Sequence, residues 1–236
     1  MSKKLGVIGG MGPLATALFM ELVTEMTEAS RDDEHIVMDI VSVPNIPDRT
    51  DYILGKSSGS PVDAIRGIKK ELEDRGAEVL AMPCNTAFYF YDEIVKDGLP
   101  MIHAIEETAS CLQEAGVEQV GILATDGTVQ TKLFQNVLEE RGIRTLIPDE
   151  THQKLVMSMI YDDVKAGRSI DAHKLSEVEK HLKEQGAQVL VLGCTELSVA
   201  KRSGQVKEGY LDTLEVMARK AVLECATLKE KYLKLI

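Results

Sequence analysis

The 236-residue chain has no tryptophan, and aromatic residues make up only 4% of it. That leaves little for a base-stacking platform of the kind single-stranded nucleic acid requires. Basic clusters are also missing: none is longer than Lys69-Lys70 or Lys201-Arg202, against a formal net charge of -11. Nucleic acid and anionic membrane surfaces are therefore not expected partners. No apolar run approaches a membrane span, and the stretch after Met1-Ser2-Lys3-Lys4 is too short and glycine-broken for a secretory leader. A cytosolic setting is the expectation. The four cysteines form no C-x-x-C pattern, and a reducing compartment disfavours disulfides. The five histidines, His35, His103, His152, His173 and His181, show no ligand spacing, so no metal site is expected.

What is present is an ordinary globular mix, 44% hydrophobic and 28% charged, in a chain long enough for two lobes with real cores. Short apolar runs at 4–9, 36–43, 78–82, 119–124, 143–147 and 188–192 read as strands. They alternate with helical patterns at 13–29, 60–75, 85–96, 103–115, 129–141, 150–166, 171–185 and 210–233. Such alternation implies parallel sheets covered by helices on both faces.

The chain also repeats itself. Leu5-Gly6-Val7-Ile8 with Gly12 and Leu18-Phe19 is matched by Val120-Gly121-Ile122-Leu123 with Gly127 and Leu133-Phe134. Gly76-Ala77-Glu78-Val79-Leu80, ending in Cys84, is matched by Gly186-Ala187-Gln188-Val189-Leu190, ending in Cys194. The expected fold is thus α/β, with two similar lobes related by a pseudo-twofold axis. Each is a mainly parallel sheet flanked by helices, with the active site in the cleft between. The lobes are expected at 1–102 plus 209–236, where a final helix returns to the first lobe, and at 103–208.

Cys111 and Cys225 lie in helical stripes and read as small core residues. Cys84 and Cys194 differ, because both follow an apolar strand and precede a helix. Ligands of parallel sheets bind at the carboxyl ends of strands. A helix N-terminus there holds carboxylates and lowers a thiol pKa. Asn85, Thr86 and Thr195 add short polar groups for capping and for carboxylate binding. Inverting a tetrahedral carbon needs a base on one face and an acid on the other, and a duplicated lobe supplies two thiols for those roles. Glu196 is either a first-turn carboxylate favoured by the helix dipole or a group that tunes Cys194.

Gly9-Gly10-Met11-Gly12-Pro13, Pro44-Asn45-Ile46-Pro47-Asp48-Arg49, Cys84-Asn85-Thr86 and Gly193-Cys194-Thr195-Glu196 together resemble the aspartate/glutamate racemase superfamily, its aspartate racemase branch in particular. The resemblance runs over essentially the whole chain. It implies an amino-acid racemase that uses no cofactor, PLP included, acts on aspartate, with glutamate as a further candidate substrate, and is a homodimer. Cys84 and Cys194 match the catalytic pair. Arg49 and Lys165 match the cations that hold the substrate's side-chain carboxylate, and Asn85 and Thr86 the group at its α-carboxylate end. Met11 and the Thr125-Asp126-Gly127-Thr128 loop, with Thr128, match cleft-lining positions. Likeness to glutamate racemases further implies that Cys84 serves the D-enantiomer and Cys194 the L-enantiomer.

Three alternatives stand beside this. Gly10-Met11-Gly12-Pro13-Leu14-Ala15 fits a dinucleotide fingerprint, but the acidic residue due about 20 positions on is missing, since Asp39 falls later and inside its strand. A related superfamily isomerase, decarboxylase or racemase would act on another small carboxylate, a hydantoin or a wider set of amino acids. A non-catalytic small-molecule binder could share the same two lobes.

Overall fold

The computed structural model describes residues 3–207 and 209–236; residues 1, 2 and 208, the last at the expected lobe break, lie outside the described residues. The first sheet comprises β1 (Leu5–Gly9), β2 (Met38–Ser42) and β3 (Val79–Ala81) in the order β2-β1-β3, all parallel. The helices that alternate with these strands and follow them are α1 (Pro13–Met26), α2 (Arg49–Ile53), α3 (Val62–Asp74), α4 (Tyr91–Val95) and α5 (Ala104–Glu114). The second sheet comprises β4 (Gln119–Leu123), β5 (Arg144–Leu146), β6 (Val189–Leu192) and β7 (Tyr210–Asp212) in the order β5-β4-β6-β7, again all parallel. Its helices are α6 (Asp126–Gln130), α7 (Leu133–Glu140), α8 (Glu150–Ser158), α9 (Ala172–Glu184) and α10 (Thr195–Arg202). The chain closes with α11 (Thr213–Cys225). Among the described residues no helix is long and apolar enough to cross a membrane.

The repeat seen in the sequence is carried into the packing. β1 and β4 are each the inner strand beside the cysteine-bearing strand, and Gly6 pairs with Leu80 as Gly121 pairs with Leu190. Both glycines lie where a helix presses on the sheet. A Cβ on Gly6 would sit 2.8 Å from Leu80 Cδ2 and 3.3 Å from Leu72 Cβ; one on Gly121 would sit 2.5 Å from Leu190 Cδ2 and 3.2 Å from Leu182 Cβ. Leu72 and Leu182, on α3 and α9, are equivalent under the repeat. The same small residue therefore admits the same helix in both lobes. β1 is buried along its whole length, as expected of a parallel strand covered on both faces.

Four elements differ from the periodicity. The 85–96 pattern is a six-residue 3-10 turn, Asn85–Phe90, followed by α4, and 129–141 starts earlier and breaks into α6 and α7. The 150–166 helix ends as α8 at Ser158 and continues as a π turn over Met159–Val164. The last helix does not begin at 210: Tyr210–Asp212 forms β7 on β6, and α11 starts only at Thr213. A three-residue strand is too short to leave a period of two in the sequence. Asp212 caps α11 through its side chain, which accepts from Leu214 N at 2.8 Å. α11 then packs against α1, β3 and α5.

Candidate active site

Loops leaving the carboxyl ends of β1, β2, β3, β4 and β6 meet in one cleft between the sheets. Its outer part has a volume of about 490 Å³ and is lined by Met11, Leu14, Pro44, Ile46, Val164 and Val199 among others. Asp48, Arg49, Lys165 and Glu196 form the boundary with an inner recess. There Cys84, Asn85, Thr86, Thr125, Cys194 and Thr195 come together, around only about 10 Å³ of free space. That is room for about one water, so a substrate must part these walls.

Each lobe delivers its cysteine from the residue that caps the following helical turn. Cys84 precedes the 3-10 turn of Asn85–Phe90 and Cys194 precedes α10; both are buried. The two sulfurs nevertheless have different surroundings. Cys194 Sγ donates to Glu196 Oε2 at 2.9 Å. Burial, reinforced by the Glu196 carboxylate, pushes the Cys194 thiol well above its ordinary pKa. A lowered thiol pKa at this helix N-terminus is thus not what the structure has: the dipole is outweighed by desolvation and a carboxylate in contact. Glu196 is both a first-turn residue of α10 and a partner of Cys194. At Cys84 the neighbour is a cation. Burial works against the Arg49 charge, but Cys84, Asp48 and Glu196 around it more than offset this and raise the guanidinium pKa.

Arg49 opens α2 and is 8% exposed. Its Nη1 donates to the carbonyls of Ile46 and Pro47 at 3.3 and 3.0 Å, and its Nη2 to that of Met11 at 3.5 Å. These bonds fix the plane of the guanidinium while Nε, though buried, has no partner. Asn85 is similarly half used. Its Nδ2 donates to Thr213 Oγ1 at 2.6 Å, which donates onward to the Leu192 carbonyl at 2.8 Å, but the buried Oδ1 accepts nothing. An unsatisfied buried donor and an unsatisfied buried acceptor cost roughly 1–3 kcal/mol each. A ligand bearing one acceptor and one donor would recover both terms.

The π turn places two further groups. Lys165 N bonds to the Ile160 carbonyl at 3.0 Å, and the extra residue in that turn brings Tyr161 and Lys165 to the cleft wall. Across the lobes, the Asp48 carboxylate accepts from Tyr161 OH at 3.2 Å and from Lys165 Nζ at 3.3 Å. Lys165 Nζ also lies 3.9 Å from the centre of the Tyr161 ring. Burial pushes the Tyr161 hydroxyl up to about 12, so it stays a donor. Burial opposes the Lys165 charge, but Glu196, Tyr161 and Asp48 raise its pKa.

Of the residues singled out in the sequence, the structure brings Met11, Arg49, Cys84, Asn85, Thr86, Lys165, Cys194, Thr195 and Glu196 to the walls of this cleft. Thr128 is not among them. It is fully buried behind Thr86 and Thr125, and the three hydroxyls form a triangle with edges of 3.0, 3.0 and 3.1 Å that ties the lobes together. Asp48, Thr50 and Tyr161 also line the recess without having been singled out. Tyr161 stands four residues before Lys165, the spacing that puts two side chains on one helical face.

A sequence model of the Asp/Glu/hydantoin racemase family matches residues 8–221. The broad specificity amino-acid racemase RacX of Bacillus subtilis is 26% identical over 223 residues, 92% of this chain and 96% of the relative. Among solved structures, the aspartate racemase of Picrophilus torridus superposes with a TM-score of 0.80 at 30% identity, covering 98% of this chain and 97% of that one. The glutamate racemase of Francisella tularensis, solved with D-glutamate, superposes at 0.65 and 18% identity over 100% of this chain and 84% of that one, which is a likeness of fold.

Proposed function

The chain belongs to the Asp/Glu/hydantoin racemase family, and from that premise we propose that it interconverts L- and D-aspartate, and glutamate less well, by a two-thiol mechanism without PLP. The observation that carries this reading is the pair of equivalent cysteines in one recess with opposite electrostatic surroundings.

Cys194, kept protonated by burial and Glu196, is the acid of the first turnover, and Cys84 beside Arg49 is the base. Cys84 removes the Cα proton from one face, and Cys194 delivers its thiol proton to the other. The pair ends with its proton on Cys84, ready for the reverse reaction. Negative charge that develops on the carbanion and its carboxylate is stabilised by fixed cations and N–H groups rather than by a cofactor ring. Arg49 Nε–H meets a substrate carboxylate, and Asn85 Oδ1 accepts from the α-ammonium group. Lys165 exchanges Asp48 for the second carboxylate of a dicarboxylic substrate. Thr86 and Thr195 add hydroxyls, and Met11 closes the apolar side.

The outer cleft favours a second reading. Its lining of Met11, Leu14, Pro44, Ile46, Val164 and Val199 suits longer, uncharged side chains, and the Bacillus subtilis relative carries broad specificity in its name. Racemisation measured over a panel of acidic and neutral amino acids separates the two. A strong preference for aspartate supports the first, comparable rates on neutral amino acids the second. No racemisation of any member would refute both, and loss of activity on treatment with hydroxylamine would refute the cofactor-free chemistry. The proposal also includes lobes at 1–102 with 209–236 and at 103–208, the returning segment lending β7 to the second sheet before α11 packs on the first lobe, together with a homodimer and a cytosolic setting; sedimentation of the purified protein tests the dimer.

A further inference from the structure

Away from the cleft, three side chains that no sequence spacing connects meet at the junction of α8 and α9. Asp149 caps α8, His152 sits in its first turn, and His181 comes from the last turn of α9. The two imidazole rings stack with centroids 3.9 Å apart and planes 13° apart. Capping accounts for one carboxylate oxygen, since Asp149 Oδ1 accepts from His152 N at 3.0 Å and lies 2.7 Å from His152 Nδ1. The other oxygen is unexplained. Asp149 Oδ2 faces His181 Nε2 at 3.8 Å. That nitrogen presents a lone pair on this side, because Asp149 N donates to it at 3.3 Å. The Gln185 amide also lies 2.7 Å from that nitrogen, while Asp149 Oδ2, on a half-exposed side chain, is left open to a ligand beside it.

We propose that Asp149, His152 and His181 bind one divalent transition-metal ion of borderline character, such as Ni²⁺ or Zn²⁺, which pins the start of α8 to the end of α9. Two imidazole nitrogens and a carboxylate are the donor set such ions prefer over Mg²⁺ or Ca²⁺. One ligand atom from each residue lies within 4.8 Å of the others. Donors around a tetrahedral ion stand about 3.4 Å apart for bonds of ~2.1 Å, and the in-plane lone pairs of stacked rings run parallel, so the ion binds as both imidazoles turn out of the stack on this partly open surface. The ion displaces the proton between His152 Nδ1 and Asp149 and takes the His181 Nε2 lone pair, releasing the Asp149 N–H and the exposed Gln185 amide, now 3.3 and 2.7 Å from it. Water completes the coordination. α8 leads directly into the π turn bearing Tyr161, so the clamp would also steady one wall of the cleft.

Calorimetric titration of the full chain with Ni²⁺ tests this, with His152→Ala and His181→Ala alongside. One ion per chain should bind, the melting temperature should rise with Ni²⁺, and each variant should bind roughly 10-fold more weakly or worse. Racemisation by His181→Ala without metal should equal that of the unaltered protein. No saturable binding by the unaltered protein below about 1 mM would overturn the proposal. So would binding that survives both replacements, which would assign the ion to the cleft thiols.

Discussion

Replacing Glu196 by Gln removes one charge beside Cys194 and keeps an oxygen able to accept from its thiol. The contact is 2.9 Å in a buried setting. Two unit charges at that separation repel by about 6 kcal/mol at an effective dielectric of 20. Lys165 partly compensates that repulsion for Cys194. The net effect on the thiol is therefore a fall in its pKa, because the larger repulsive neighbour is removed. Cys194 acts as the acid only while protonated, so its ionisation sets the alkaline limb of the rate profile. In Glu196→Gln that limb should move to lower pH. Initial racemisation rates of D-aspartate, the direction in which Cys84 is the base and Cys194 the acid, followed by circular dichroism across the stable pH range, give both limbs. An alkaline limb that stays in place or moves upward would refute the assignment of Glu196 as the group that keeps Cys194 protonated.

Arg49→Ala should lower kcat/KM for aspartate by about 2–4 kcal/mol, or roughly 30- to 1000-fold in steady-state kinetics, if Nε–H and the guanidinium charge meet the substrate carboxylate. Gly121→Ala should destabilise the fold by about 1–3 kcal/mol through overpacking against Leu190 and Leu182, and lower the melting temperature accordingly. Gly67→Ala, in the interior of α3 with nothing within 4 Å of the new Cβ, should instead stabilise by roughly 0.5–1 kcal/mol. Burial raises Asp212 from 3.8 to about 6, so the folded state holds its proton over that interval while the unfolded chain releases it. That contribution is fully present below about pH 4 and is lost as pH rises through 6. Urea unfolding of Asp212→Asn should accordingly decline less between pH 4 and pH 7 than that of the unaltered protein.

The paired cysteines could be read from the chain because duplication writes the same strand, Gly-Ala-x-Val-Leu, before each of them. Arg49 and Lys165 stood out only through family likeness, as a lone arginine after a turn or a lysine on a helix carries no signal of its own. Asp48 and Tyr161 were missed because their meaning lies in a contact between lobes, 113 residues apart in sequence. Thr128 sits in a cleft-lining loop, but its position in the first turn of α6 turns it back into the interface, where it binds two other hydroxyls. The π turn at Met159–Val164 has the apolar spacing of a helix and so reads as one. His152 and His181 stand 29 positions apart on separate helices, and only the packing of α8 on α9 brings their rings together.

The central claim is that one thiol removes the Cα proton while the other delivers a different proton to the opposite face. Racemisation of L-aspartate in deuterated water, followed by proton NMR with chiral separation of the products, tests this most directly. Two thiols on opposite faces predict that D-aspartate carries deuterium at Cα from the first turnovers while the remaining L-aspartate stays largely protiated. Protium retained in the D-product, or deuterium entering the L-substrate as fast as the product forms, would show a single base serving both faces and would contradict the account.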